Sequence, residues 1–327
     1  MALLASSTHD TKRSEDVRAR ISVLSEVPNE WRAALNRWTR LNRKLKSMID
    51  GALAPHRADD YVLYQTLIGT WPLEGLTNAN RDRYQQRISD YIVKVAREAS
   101  RFTNWVNPDE AYEAALSGFV SGLMDPRRSR IFIKDFEEFL ATIRDAGLAN
   151  SLTQQLLKLT SPGVPDIYQG TEFWDDSLVD PDNRRAVDFD LRTTGKKSDD
   201  DLLSGQAKLA LTRAVLSARR ERPDVFSRGE YIALSATGPE ADSVVAFARA
   251  FEGDVAISVG SRLIQRSGDV FGNTEFWKAT VVELPEPLFS SESDAGEDTP
   301  FGSSTLELTR LFEKAPIAFL KSWKGTT

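Results

Sequence analysis

The stretch that decides the predicted fold is Ser161–Glu172, with the sequence SPGVPDIYQGTE. Two prolines and a glycine precede a short apolar and aromatic run, and a second glycine ends that run. This pattern predicts a brief buried strand over Ser161–Gln169. Ligands commonly bind at the carboxyl ends of parallel strands. We therefore expect Tyr168, Gln169 and Glu172 to lie beside a ligand.

The region before this strand, residues 11–160, predicts helices and no convincing strand. Apolar side chains recur there at steps of three and four residues, between breaks at proline, asparagine and glycine. Gly51 is expected to end one helix, and Asp125-Pro126 to begin another. The predicted helices are 11–26, 30–49, 61–69, 78–100 or 80–100, 107–123, 125–144 and 149–159.

The region after the strand changes character. Residues 206–222 form an amphipathic pattern with Pro223 just beyond it, which predicts one more helix. From Gly229 onward, short runs rich in β-branched residues alternate with glycine, proline and aspartate, which predicts a small antiparallel sandwich. The predicted strands are 231–234, 243–249, 255–259 and 278–284. The acidic, serine-rich segment 290–300 is expected to be a mobile loop.

Composition excludes several classes of protein. The 327 residues carry a net charge of -6, which argues against nucleic acid and against anionic membranes as partners. The chain has no cysteine and two histidines, so thiol chemistry and a histidine-rich metal site are excluded. No apolar run reaches the ~20 residues that a membrane span needs. We expect a cytoplasmic protein without metal or cofactor.

Two polar motifs each allow two interpretations. In Thr8-His9-Asp10, a carboxylate beside an imidazole could bind sugar hydroxyls or stabilise positive charge. Alternatively, Asp10 or Thr11 could cap the helix predicted over 11–26. The second motif surrounds Arg184-Arg185 with aspartates and could bind a polyhydroxyl ligand or calcium, or be a salt-bridged surface loop. Those aspartates are Asp175, Asp176, Asp180, Asp182, Asp188 and Asp190.

Aromatic residues beside polar groups also leave a choice open. They occur in Tyr61–Trp71 and in Arg101–Trp105. Tryptophan and tyrosine faces can stack on sugar rings, but packing between helices is the simpler interpretation for any one of them.

Several of these motifs resemble maltooligosyl trehalose synthases, a family of the α-amylase superfamily. Ser7–Arg20, STHDTKRSEDVRAR, is similar to the family's segment that contains the superfamily's His-Asp motif. The stretch Leu159–Glu172 and the following Leu178–Arg185, LVDPDNRR, resemble the same enzymes closely. Further similar segments are Tyr61–Pro72, Asn104–Pro108 and Val244–Arg249.

The resemblance implies an α+β multidomain fold. That fold is an incomplete C-terminal part of a (β/α)8 TIM barrel with a large all-helical insertion, followed by an antiparallel β-sandwich. Residues 1–10 would end the seventh barrel strand, and 11–158 would form the helical insertion. Residues 159–225 would contain the last barrel strand, a substrate loop and the last barrel helix. Residues 226–327 would form the C-terminal β domain.

The resemblance also implies a reaction. The reducing-end α-1,4 bond of a maltooligosaccharide becomes an α,α-1,1 bond with retention, through a covalent glucosyl-enzyme intermediate. Asp10 would be the carboxylate that stabilises the transition state, and His9 a neighbouring group that binds a hydroxyl. The other candidate substrate-binding residues are Lys12, Arg13, Trp105, Tyr168, Glu172, Asp182 and Arg185.

The family's nucleophile and acid/base lie upstream of the His-Asp motif, so the resemblance implies that they belong to barrel strands absent from this sequence. The expected partners are therefore a maltooligosaccharide and the N-terminal barrel part of the same enzyme. This chain alone is expected to be inactive. The alternatives are another α-glucan-active hydrolase or transferase of the amylase superfamily, or a non-catalytic glucan-binding fragment.

Overall fold

A computed structural model describes residues 2–194, 205–285, 288 and 303–324. The chain divides into two compact units. The helical unit comprises His9–Arg144 and Asp176–Arg185. The mixed unit comprises Met1–Thr8, Asp145–Asp175 and Ala186–Thr327. The loop predicted over 290–300 lies outside the described residues.

Helices account for most of the helical unit. They are α1 (Glu15–Ser22), α2 (Pro28–Asn42), α3 (Arg57–Thr70), α4 (Arg81–Ala99), α5 (Glu110–Met124) and the first part of α6 (Arg130–Thr160). Pro28 opens α2, where its missing N–H is not needed. Asp109 caps α5, because its carboxylate accepts the backbone N–H of Tyr112 at 2.9 Å.

An aromatic cluster around Trp38 fills the core of the helical unit. Trp38 is fully buried, and its ring centroid lies 5.1 Å from that of Phe136 and 5.5 Å from that of Tyr64. Its indole N–H donates to Asp135 Oδ2 at 2.6 Å. This buried polar group therefore has a hydrogen-bond partner. Tyr64 and Trp71 are also buried. These two aromatics of the Tyr61–Trp71 segment therefore pack between helices.

The prediction that residues 11–160 contain no strand is wrong. A hairpin of β2 (Ser47–Ile49) and β3 (Ala52–Ala54) follows α2, with Ser47 paired to Ala54. Its turn consists of Asp50 and Gly51, which have φ angles of 48° and 79°. Two positive φ angles in sequence characterise the tight turns that join twisted antiparallel strands. Gly51 therefore closes a hairpin and does not end a helix.

The helices predicted over 125–144 and 149–159 are a single helix, α6, of 31 residues. Asp125 lies before it and accepts the backbone N–H of Arg127 at 2.7 Å. Gly147 lies inside α6, where a glycine costs about 1 kcal/mol relative to alanine. Buried neighbours such as Ile143 and Leu148 supply the packing that offsets this cost.

The mixed unit combines short parallel strands with helices and antiparallel sheets. Its helices are α7 (Phe189–Thr194), α8 (Gln206–Glu221), α9 (Pro223–Ser227) and α10 (Leu308–Leu311). A parallel pair consists of β1 (Leu3–Leu4) and β4 (Val164–Pro165). The other strands are β5 (Glu230–Leu234), β6 (Ala236–Thr237), β7 (Val244–Phe251), β8 (Asp254–Ser261), β9 (Val281–Glu283), β10 (Thr305–Glu307) and β11 (Ile317–Ser322).

These later strands form two antiparallel sheets, in the orders β11-β8-β7-β5 and β10-β9-β6. The prediction of antiparallel sheet after Gly229 is confirmed, and the four predicted strands all exist with slightly different ends. Near the end of the described residues, α10 is followed by β11, which pairs with β8.

The strand predicted over Ser161–Gln169 is much shorter than expected, because β4 comprises two residues. Gly163 approaches β1 so closely that an added Cβ atom would lie 2.8 Å from Leu4 Cγ and 2.9 Å from Ala2 O. Its φ of 141° also favours glycine. Val164 N–H donates to Ala2 O and Asp166 N–H to Leu4 O, both at 2.9 Å. The further barrel strands and the domain boundaries remain predictions.

Candidate active site

The His9-Asp10 motif lies on an exposed turn in the helical unit. Ser14 is the N-cap residue of α1, and its side chain makes no capping hydrogen bond. Asp10 and Thr11 are therefore not at the N-cap position, so the structure contradicts the helix-cap interpretation of the motif. His9 and Asp10 are both exposed, as a pair that meets a ligand must be.

The segment Asp176–Arg185 fixes the backbone on both sides of this turn. Asn183 Nδ2 donates to the carbonyl oxygen of His9 at 2.8 Å. On the other side, Ser14 N–H donates to Ser177 O at 2.9 Å, and Arg13 forms an antiparallel bridge with Leu178. Because Asn183 is buried, its hydrogen bond to His9 is shielded from competing water.

An ionic network in turn fixes this segment on α4. Arg87 donates through Nε to Asp182 Oδ1 at 2.8 Å and through Nη1 to Asp176 Oδ2 at 2.9 Å. Arg185 Nη2 donates to Asp176 Oδ1 at 2.8 Å. Asp182 Oδ2 also accepts the backbone N–H of Leu178 at 2.8 Å. We call these four residues, Arg87, Asp176, Asp182 and Arg185, the Arg87 network.

The Arg87 network shifts the pKa values of Arg87 and Asp176. Burial acts to lower the pKa of Arg87, but the charges of Asp176 and Asp182 outweigh it and raise that pKa. Burial acts to raise the pKa of Asp176, and the charges of Arg87 and Arg185 reverse the effect and lower that pKa. Asp176, Asp180 and Asp182 of the acidic loop are therefore salt-bridged, which is one of the alternatives that the sequence left open.

This network gives Asp182 and Arg185 a different setting from the one expected. They were candidate pocket residues, and the structure places them in ion pairs that position the segment on which the His9-Asp10 turn depends. A neighbouring ion pair joins Arg184 Nε to Asp180 Oδ1 at 2.6 Å. Because Asp182 accepts hydrogen bonds from both Arg87 and the backbone of Leu178, its side chain is held in one position.

Lys12 and Arg13 lie directly after the motif in the helical unit. Lys12 Nζ pairs with Glu98 Oε2 at 3.2 Å, and the side chain of Lys12 is 56% exposed. Arg13 Nη2 donates to Thr66 Oγ1 at 3.0 Å, and its guanidinium lies 6.0 Å from the ring centre of Tyr91. Arg13 therefore anchors the motif to α3 and α4, whereas Lys12 remains accessible.

Tyr168 and Glu172 lie in the mixed unit, after β4. Tyr168 O accepts both the N–H and the hydroxyl of Thr171, at 2.9 and 2.8 Å, which closes a tight turn. Glu172 Oε1 accepts a hydrogen bond from Arg192 Nε, and Arg192 Nη2 also donates to Gly170 O at 3.1 Å. Arg192 thus holds the Tyr168–Glu172 turn against α7. Both candidate residues are partly exposed.

Trp105, the last candidate, lies in the helical unit between α4 and α5 and is 56% exposed. Its ring centre lies 5.0 Å from the guanidinium carbon of Arg97.

Sequence reasoning missed Arg87, Asn183 and Arg192 as residues that shape the site. Arg87 looks like any arginine on the polar side of a helix, and its partners Asp176 and Asp182 are 89 and 95 residues away. The one available signal was the excess of aspartate around residue 180, which requires cations from elsewhere in the chain.

Neither a metal site nor a membrane span is found in the described part of the chain. Among residues 2–194, 205–285, 288 and 303–324, no three histidine or acidic side chains come together as metal ligands. In those same residues, no helix combines the length and the apolar character that crossing a membrane requires.

Comparison with other sequences points to one group of enzymes. No family model matches the sequence. Two Mycobacterium tuberculosis proteins, from strains CDC 1551 and H37Rv, are 37% identical to this chain over 281 residues, which is 86% of its length. Both are provisionally named maltooligosyl trehalose synthase. The match covers 33% of each relative, so this chain spans about a third of their length.

Comparison with solved structures identifies the same group of enzymes. The maltooligosyltrehalose synthase of Arthrobacter ramosus is 31% identical with a TM-score of 0.74, over 98% of this chain and 38% of that one. A glycosyltrehalose synthase is 38% identical with a TM-score of 0.60, over 76% of this chain and 31% of that one. The relatives define a class of protein, the maltooligosyl and glycosyl trehalose synthases. Within it, this chain is homologous to the C-terminal portion of maltooligosyl trehalose synthases, which confirms the resemblance of its motifs.

Proposed function

We propose that this chain supplies Asp10 to the active site of a maltooligosyl trehalose synthase. The enzyme would convert the reducing-end α-1,4 bond of a maltooligosaccharide into an α,α-1,1 bond with retention. The observation that carries this proposal is the geometry of the motif. His9 and Asp10 are exposed on a turn whose backbone is fixed by Asn183, on a segment held by the Arg87 network.

In this proposal Asp10 binds hydroxyls of the distorted glucose ring and stabilises positive charge in the oxocarbenium-like transition state. A carboxylate does this best when it does not have to reorganise as charge develops. The hydrogen bond from Asn183 and the bridge between Arg13 and Leu178 meet this requirement by fixing the chain on both sides of the turn. His9 binds a neighbouring hydroxyl. Exclusion of water would then decide between isomerisation and hydrolysis.

The test is a chimaera in which this chain replaces the matching part of the Arthrobacter ramosus enzyme. Incubation with maltopentaose should consume reducing ends and form a non-reducing product of unchanged mass. In that chimaera, Asp10→Asn should lower kcat by about 10²–10³-fold, because the charge that stabilises the transition state is lost.

The matched control for that substitution is Asp180→Asn, which removes a carboxylate that is paired with Arg184 on the same segment. It should leave turnover unchanged. Release of reducing sugars from maltopentaose would instead support a hydrolase of the amylase superfamily. Full activity in Asp10→Asn would refute the role given to Asp10.

A further inference from the structure

A groove of about 540 Å³ lies between α4 and α5 in the helical unit. Its lining from α5 consists of Ser117, Gly118 and Ser121. A Cβ atom added to Gly118 would meet no atom within 4 Å, so small residues leave this part of the groove open. The volume falls in the range of about 300–1,000 Å³ that small-ligand sites occupy.

Trp105 lines this groove with its indole held in a fixed orientation. The ring lies 5.0 Å from the guanidinium of Arg97. Arg97 cannot turn away, because it donates two hydrogen bonds to the carboxylate of Glu113, at 2.7 and 2.6 Å. Glu113 also accepts the hydroxyl of Thr103 at 2.6 Å. An ordered aromatic side chain that is 56% exposed is ready to bind without a large loss of side-chain entropy.

The loop that carries Trp105 is also fixed by its own hydrogen bonds. Asn104 Oδ1 accepts the backbone N–H groups of Val106 at 2.9 Å and of Asn107 at 2.8 Å. Thr103 Oγ1 accepts the N–H of Asp109 at 3.0 Å, which joins the loop to the cap of α5. These hydrogen bonds fix the backbone that carries the indole. The exposed face of the indole remains in contact with water, which is unfavourable in hydrophobic free energy.

The polar groups of the groove suit a neutral ligand. Gln86 Nε2 donates to Asp90 Oδ1 at 2.7 Å, which lines up an amide and a carboxylate along α4. The two cations in the lining already have partners: Lys94 donates to Asp180 O at 2.6 Å, and Arg97 pairs with Glu113. Because Glu113 compensates the charge of Arg97 and the carboxylate of Asp90 lines the groove beside Lys94, the lining carries no excess of positive charge for a phosphate or carboxylate ligand. Amide, carboxylate and hydroxyl groups instead match a ligand with many hydroxyls.

We propose that this groove binds an α-1,4-linked glucan chain, with one sugar ring stacked on Trp105. A pyranose ring has an apolar face of C–H groups and an edge of hydroxyls. The flat indole fits the face, and the polar groups of α4 and the serines of α5 fit the edge. The choice of the α-1,4 linkage rests on the proposed function, whereas the choice of a sugar rests on the groove itself.

The test is calorimetric titration of the full chain with maltoheptaose. Trp105→Ala removes the stacking surface, and Gly118→Leu fills the groove while leaving Trp105 in place. Both should weaken binding about tenfold, because one removes the surface on which the sugar ring stacks and the other removes the space that the sugar chain occupies. Gly118→Leu should fold normally, because leucine has a higher helix propensity than glycine and no atom stands in its way.

Two matched controls separate the groove from general effects. Gly118→Ala makes the same kind of backbone change but leaves the groove open. Tyr231→Ala removes an aromatic side chain of similar exposure, 49%, that does not line the groove. Both should bind maltoheptaose as the unsubstituted chain does, and circular dichroism should confirm that every variant is folded.

The outcomes are distinguishable from those that test the proposed function. Asp10→Asn should retain binding at the groove while it loses turnover in the chimaera. The groove proposal is overturned if the unsubstituted chain shows no saturable binding, or if Trp105→Ala and Gly118→Leu bind like the controls. Binding abolished by Asp10→Asn alone would place the sugar at the His9-Asp10 turn instead. Equal binding of cellohexaose would overturn the assignment to α-1,4 linkages.

Discussion

At the scale of single residues, the helical unit depends on charges that compensate one another. Arg87 is the centre of this arrangement, because its side chain is 13% exposed and binds both Asp176 and Asp182. Without Arg87, the carboxylates of Asp176 and Asp182 would lose the positive charge that they share. The same contacts hold the segment whose Asn183 fixes the His9-Asp10 turn, so a residue outside the motif sets the geometry of the motif.

We expect Arg87→Met to destabilise the protein strongly. Removing one partner of a buried ion pair costs about 3–5 kcal/mol, and the loss here should lie toward the lower end because Asp176 is 37% exposed. The measurement is the free energy of unfolding in urea at pH 7. Arg83→Met, an exposed position on the same helix, is the control and should change stability by less than about 0.5 kcal/mol.

The pH dependence of stability provides a second readout of the same substitution. The pKa of Asp176 is lower in the folded protein than its ordinary value of about 3.9. Its contribution to stability is therefore present above pH 4 and is lost as the pH falls through the lowered pKa. In Arg87→Met this acid-dependent loss should become smaller. An unchanged slope below pH 4 would contradict the role of the Arg87 network.

At the scale of elements, two arginines hold the C-terminus of α6 by donating hydrogen bonds to backbone carbonyl groups. Arg219 donates to Leu159 O and to Gly163 O, both at 2.9 Å. Arg249, which is 2% exposed, donates to Gly229 O at 2.7 Å and to Thr160 O at 3.5 Å. Positive groups at this end complement the helix dipole and its unpaired carbonyl groups. Burial lowers the pKa of both arginines, and for Arg219 the charge of Arg249 adds to the effect.

We expect Arg249→Met to destabilise the mixed unit by about 2–3 kcal/mol, because the carbonyl oxygen of Gly229 and that of Thr160 at the end of α6 lose a donor. The measurement is the midpoint of urea unfolding followed by circular dichroism. Arg262→Met is the matched control, since Arg262 also donates to a backbone carbonyl, Asp242 O at 2.9 Å, but is exposed. Equal midpoints for the two variants would show that the carbonyl groups of α6 find other partners.

Periodicity predicted most of the elements, and the failures have physical causes. The antiparallel strands after Gly229 were found because glycine, proline and aspartate separate short β-branched runs. The hairpin at Asp50-Gly51 was missed, although this dipeptide is a strong turn signal, because the apolar stripe of α2 continued through Leu45. The motif His9-Asp10 could be found from sequence. The residues that fix it could not, because ion pairs between residues about 90 positions apart leave no local pattern.

At the scale of the whole molecule, the decisive fact is the share of the relatives that this chain covers. It matches 33% of the Mycobacterium tuberculosis proteins and 38% of the Arthrobacter ramosus enzyme. A retaining mechanism needs a nucleophile and an acid/base in addition to the carboxylate that stabilises the transition state. The resemblance assigns those two groups to segments upstream of the His-Asp motif. Asp10 would then complete an active site whose other carboxylates belong to the part of the enzyme that this chain does not match.

We therefore expect this chain alone to form no non-reducing product from maltopentaose. Supplying the complementary part of the Arthrobacter ramosus enzyme as a separate polypeptide should restore turnover, because the three carboxylates then meet in one site. The measurement is the loss of reducing ends together with mass spectrometry of the product. The same mixture with Asp10→Asn is the control and should stay inactive. Clear turnover by the chain alone would mean that it contains its own nucleophile and acid/base, and the division of the active site proposed here would be wrong.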